Sequence, residues 1–99
     1  MRLQTSVNGA AFVLTKFRWD RDLIGLKNKI NTTFTTPEIF IQNGYLVIRV
    51  YLNGQRLRLG TTNDYTVAES GGVGTGFNTI IMAIAPRSDD NLTADYVVP

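Results

Sequence analysis

Apolar and polar positions alternate through residues 45–52 and again through 55–59, with Asn53-Gly54 between the two runs. Period-two alternation predicts half-buried strands. An Asn-Gly pair accepts the positive φ that both central positions of a two-residue type I′ turn require. The turn then sets the register: Val50 faces Leu57 and Ile48 faces Leu59, giving an aliphatic face able to cover a core. The opposite face places Tyr51 beside Arg56 and Arg49 beside Arg58. Two arginines directly opposite each other are destabilising unless an acid or a partner lies over them, so this face points to binding.

Similar alternation recurs along the chain. Leu3, Thr5 and Val7 share one side, Asn8-Gly9 follows, and Ala10, Phe12 and Leu14 resume on the matching side. This predicts a second hairpin. In residues 18–30, Leu23, Leu26 and Ile30 are spaced for one face of a short helix that Asp22 is placed to cap. Gly25 works against that helix, so the expectation is an irregular loop with at most one helical turn. Residues 31–36 read as a Thr-rich strand that Pro37 ends, since proline cannot donate to a ladder. Residues 38–43 then lead through Ile39 and Ile41 into the central hairpin. Residues 60–64 form a polar turn, 65–68 a short strand, and 69–76 a flexible stretch with four glycines. In residues 77–85, Ile80, Met82 and Ile84 take one face and Ile81 and Ala83 the other. A strand apolar on both faces is central in its sheet or covered by a neighbouring subunit. A turn over 86–91 and a closing strand over 92–98 complete the pattern. Short strands between frequent turns predict an all-β domain, a small antiparallel β-sandwich of immunoglobulin-like or jelly-roll-like form. Residues 1–30 are its N-terminal hairpin and irregular arm, and residues 31–99 its core. A barrel stays open as the alternative.

Ninety-nine residues suit one domain with a modest core. Apolar content of 43% supports globular packing, whereas 18% charge is low for a solvated surface and suggests that another chain covers part of it. The net charge of +2 and pI near 9.2 are too small an excess to argue for nucleic acid alone. The chain has no cysteine and no histidine, so thiolate chemistry and imidazole proton transfer are excluded. The N-terminus lacks the apolar run of a signal peptide, and no segment approaches the roughly 20 apolar residues of a membrane span. The expectation is a soluble protein made in the cytosol. The glycosylation-like triplets starting at Asn31 and Asn91 then read as chance.

The candidate chemistry is sparse. Gly72-Val73-Gly74-Thr75-Gly76 suggests a phosphate loop, but a strand-like segment follows where a helix N-terminus is needed. Asp89-Asp90-Asn91 offers too few oxygens for calcium and suits an ordinary turn. The eight acids are scattered, and no nucleophile constellation is visible, so no enzyme activity, metal or cofactor is expected. Arginines and aromatics do interleave, at Phe17, Arg18, Trp19 and Arg21 and at Arg49, Tyr51, Arg56 and Arg58. Such sets serve single-stranded nucleic acid and protein hot spots alike, and the modest charge favours the protein. The expected partner interface is Trp19, Arg21, Arg49, Tyr51, Arg56 and Arg58. Two further readings stay open: a carbohydrate- or receptor-binding module using Trp19, Tyr45 and Tyr51, and a small nucleic-acid-binding barrel.

The order of signals after Ile30 is also familiar. Asn31-Thr32-Thr33-Phe34-Thr35 and a proline precede an apolar strand that reaches Tyr51-Leu52-Asn53-Gly54-Gln55-Arg56-Leu57. Asn63-Asp64-Tyr65-Thr66-Val67, an apolar strand ending at Pro86 and Leu92-Thr93-Ala94-Asp95-Tyr96-Val97 follow. This set, covering about two-thirds of the chain, resembles a small β-sandwich module of structural proteins in tailed bacteriophages, found in tail appendages, fibres and capsid-associated subunits. The resemblance implies a non-catalytic virion component that assembles with other virion proteins and with copies of itself. The first thirty residues do not match that module.

Overall fold

At Asn53-Gly54 both central residues take positive φ, +52° and +84°, as a type I′ turn demands. The computed structural model describes residues 16–99, so the hairpin expected around Asn8-Gly9 lies outside the described residues. In chain order the strands are β1 (Phe17–Asp22), β2 (Thr33–Phe40), β3 (Arg49–Leu52), β4 (Gln55–Arg56), β5 (Tyr65–Ala68), β6 (Phe77–Met82) and β7 (Leu92–Val97). They form two antiparallel sheets, β1-β7-β3-β4 and β2-β6-β5. The fold is the expected small β-sandwich.

Alternation sends one side of each strand inward. Val50 pairs with Ala94 and Leu52 with Leu92 on the inner face of the larger sheet. Phe34 and Val67 flank Ile80, and Tyr65 pairs with Met82, on the smaller one. These side chains, with Leu23, Phe40, Ile48 and Tyr96, make the core. The Tyr65 hydroxyl donates to the Ile48 carbonyl at 3.1 Å, so its polar end is satisfied inside the sandwich. Burial accordingly pushes the Tyr65 phenol above its ordinary pKa.

Several expectations need correction. Residues 17–22 are not part of an irregular arm: they form the edge strand β1, because pairing to β7 supplies the hydrogen bonds that local propensity does not. Pro37 does not end β2. Between the Thr35–Thr79 and Phe40–Phe77 pairs the strand bulges, and the proline sits where no ladder donor is required. The central hairpin is shorter than its alternation implied. A second tight turn, closed by both hydrogen bonds between Asn43 and Leu46, precedes it, with Gly44 at φ +59° and Tyr45 at its tip. After Leu57 the chain leaves β3 and crosses to the other sheet, where Leu59 bridges Tyr65. Arg58 therefore never stands opposite Arg49, whose register neighbour is Asp95. The apolar run 77–85 is indeed a central strand, but it stops at Met82 and leaves Ile84 exposed.

A polar latch joins the sheets at one edge. Arg18 of β1 donates to both carboxylate oxygens of Glu38 on β2, at 3.0 and 3.1 Å, and the Tyr96 hydroxyl of β7 donates to the same group at 3.2 Å. Burial, then the neighbouring Glu38 charge, raises the Tyr96 pKa from 10.0 to about 12. Its contribution to stability is present in full below the unfolded value and is lost as pH rises through the folded one. Melting temperature should therefore fall between about pH 10 and pH 12, and Tyr96→Phe should flatten part of that decline. An unchanged pH profile in the variant would refute the linkage.

Candidate functional site

The outer face of the larger sheet collects most of the expected interface residues. Arg49 pairs with Asp95, and Tyr51 lies between Thr93 and Arg56, so these side chains share the face opposite Val50 and Ala94. Phe17 joins them beside Val97. Arg18 pairs with Tyr96 and Arg21 with Ala94, so Trp19 and Asp20 stand together opposite Asp95. This is a β-bulge. Asp20 adopts φ +54°, which Asp tolerates, and its N–H donates to Asp95 Oδ1 at 2.7 Å. The bulge holds Trp19 outward, 57% exposed, with its ring 5.2 Å from that of Phe17.

Trp19, Arg49, Tyr51 and Arg56 are thus brought together. Arg21 and Arg58 are not. Arg21 lies on the Ala94 side, where its charge acts on Tyr96, and Arg58 sits beyond β4 with its N–H held by Asp64 at 2.8 Å. Two shallow depressions flank Trp19. One, of about 120 Å³, is lined by Tyr45, Arg49 and Asp95, and the other, of about 330 Å³, by Asp20, Tyr51, Asn91, Thr93 and Asp95. Tyr45 is 96% exposed at its turn tip.

A second surface was not anticipated from the sequence. Ile24, Leu26, Ile30 and Ile84 are all exposed, the last two at 82%. The loops carrying Ile30 and Ile84 are neighbours, since Lys29 N–H donates to the Pro86 carbonyl at 2.8 Å and Met82 N–H to the Thr32 carbonyl at 2.7 Å, while Ile24 is bridged to Thr35 of β2. The Lys27 ammonium adds a bond to the Asp90 carbonyl at 2.6 Å. Within the first loop, Asn28 Oδ1 accepts from the N–H groups of Ile30 and Asn31, and the Asn31 amide donates to Leu26 and Thr33. The loop is therefore ordered by its own polar side chains while its apolar ones face solvent. The spacing of Leu23, Leu26 and Ile30 gave a signal, but only Leu23 is buried, so their shared helical face does not exist. Clusters of this kind mark contact sites.

The glycine-rich loop has an internal anion. Gly74 and Gly76 N–H groups donate to Glu69 Oε2 at 3.0 and 2.9 Å, so the amides that would cradle a phosphate are held by the chain itself. Asp90 is likewise engaged: its two oxygens accept from Asn53 at 2.9 Å and from Arg87 N–H at 2.8 Å. The Asn53 bond, then that of Arg87, holds its carboxyl below the usual range. Asn53 also accepts from Asn91 N–H, so the residue that makes the hairpin turn staples it to the loop before β7. No protein-family model matches the chain, and no curated protein or solved structure shows significant similarity to it.

Proposed function

We propose that this chain is a non-catalytic structural subunit of a tailed-bacteriophage particle, working through contacts with neighbouring virion subunits. The observation that carries the assembly reading is the exposure of Ile24, Leu26, Ile30 and Ile84 along two hydrogen-bonded loops. Leaving such side chains in water forfeits about 1.5–3 kcal/mol for each one that a partner could cover. Because the loop is already ordered, less conformational entropy opposes docking. The same two loops carry Lys27, Lys29, Arg87 and Asp89, so charged groups accompany the apolar ones, as at the edge of a contact surface.

The phage assignment rests on the ordered residues of the resemblance, several of which have a structural task here. Asn53-Gly54 turns and staples the hairpin, Asp64 holds the Arg58 N–H, and Tyr65 spans the core to Ile48. Asp20, Asp22 and Asp95 share the larger sheet's outer face with Arg49 and Arg56, and these acids weigh against a nucleic-acid backbone as the partner. The test is light scattering coupled to size exclusion on the full chain, alone and mixed with virion proteins encoded beside it. The wild type should oligomerise or join a particle, and Ile30→Asp/Ile84→Asp should raise the concentration needed by at least about tenfold without lowering the melting temperature. A protein that stays monomeric and joins no particle, or a variant that assembles normally, would overturn the reading.

A further inference from the structure

We infer that the outer face of the larger sheet binds a neutral oligosaccharide chain, with Trp19 as the ring shared by two consecutive sugar subsites. The inference is independent of the exposed apolar loops and of the phage assignment.

Geometry comes first. Trp19 on β1 and Tyr51 on β3 are separated by one strand, β7, hence by about 10 Å across the sheet. The floor between them is Thr93, small and itself buried, so a shallow slot lies between two aromatic walls. On the other side of Trp19 the exposed Tyr45 ring bounds the second depression. Three aromatic side chains therefore follow one another along one face, and Asp95 lines both depressions.

Chemistry then selects the occupant. A pyranose ring presents an apolar C–H face and a rim of hydroxyls, so it needs aromatic surface and polar atoms at alternating places. Both are present. Among the described residues the Asp20 carboxylate, Asp95 Oδ2 and the Asn91 side-chain amide make no hydrogen bond in the folded chain, and all three line the slot. Sugar hydroxyls donate to such carboxylates and exchange with water at little cost. A protein partner closing over the same face would strip water from the Asp20 carboxylate and Asp95 Oδ2 at the centre of its contact, which is expensive. The acids also disfavour acidic sugars, and Arg49 beside Asp95 offsets part of their charge, leaving neutral hexose chains as the matching class.

Trp19 is the sole tryptophan, so its emission reports directly on the site. The probes are neutral gluco-, manno-, galacto- and N-acetylglucosamine oligomers from mono- to hexasaccharide, titrated into the full chain. At least one series should shift or quench the emission, and affinity should rise about tenfold or more from mono- to disaccharide as the second subsite fills. By calorimetry, Trp19→Ala should weaken binding beyond detection. Tyr45→Ala and Tyr51→Ala should each cost several-fold, and Trp19→Phe should retain much of it. Trp19 and Tyr45 are largely exposed, so their variants should melt like the wild type. A silent tryptophan across all series, binding that survives Trp19→Ala, or no gain with length would overturn the inference. So would Trp19→Ala disrupting assembly in the absence of any sugar response, which would make this face a protein contact.

Discussion

Replacing Phe40 with alanine is expected to lower the unfolding free energy by about 3–5 kcal/mol, the usual cost of emptying a buried phenylalanine site. Phe40 is 2% exposed, and its ring lies 6.1 Å from Phe77 within its own sheet and 6.0 Å from Tyr96 in the other. Among the described residues it is the side chain through which aromatic packing crosses the sandwich. Its position follows the bulge at Pro37, so the backbone that aims it is fixed by β2–β6 pairing and cannot close over the cavity freely. A small domain has roughly 5–15 kcal/mol of stability in total, so this loss is a large share. The measurement is chemical denaturation with an unchanged m-value, and the melting temperature should drop by at least about 12 °C. Phe40→Leu should retain a good part of the loss. A variant within about 1 kcal/mol of the wild type would show that the two sheets are held together elsewhere.

Sequence reading recovered the elements whose turns are local. Asn53-Gly54 announced its own φ values, the strand over 65–68 matched β5 residue for residue, and the doubly apolar run proved central. What it missed depends on non-local partners. Residues 17–22 carry mostly charged side chains and no clear alternation, yet β7 converts them into an edge strand. Pro37 reads as a terminator only until the bulge that accommodates it is known. Arg58 falls opposite Arg49 only if the hairpin continues, and the chain abandons it after Leu57 to build the second sheet. The candidate site shows the same division. Arg49, Tyr51 and Arg56 share a face because period two fixes it, whereas the outward turn of Trp19 depends on a bulge opposite Asp95. The exposed Ile24, Leu26, Ile30 and Ile84 were invisible for a further reason. Hydrophobicity in a sequence signals burial, and only the fold shows which apolar side chains have nothing to pack against.

Gly25→Ala is the second substitution with a large expected effect, a destabilisation of about 2–3 kcal/mol by overpacking. A β-carbon at this position would stand 2.5 Å from Phe34 Cδ2 and 3.0 Å from Cε2, and the backbone φ of +154° is one that side chains rarely adopt. The Phe34 ring has no room to retreat, because it is 1% exposed and packs beside Ile80, itself fully buried. A double-mutant cycle separates the two causes. Combining Gly25→Ala with Phe34→Leu should cost roughly 1 kcal/mol less than the sum of the single changes, since the smaller side chain removes the clash but not the backbone strain. Strict additivity would mean that the ring and the glycine do not meet. Gly25 also lies between Ile24 and Leu26, and the flanking Ile24–Thr35 bridge anchors this loop to β2. A glycine pressed onto the core ring is thus what lets the loop lie close to the sandwich while its neighbours face outward. Gly25→Ala should therefore weaken assembly as well as folding, whereas Ile30→Asp/Ile84→Asp weakens assembly alone.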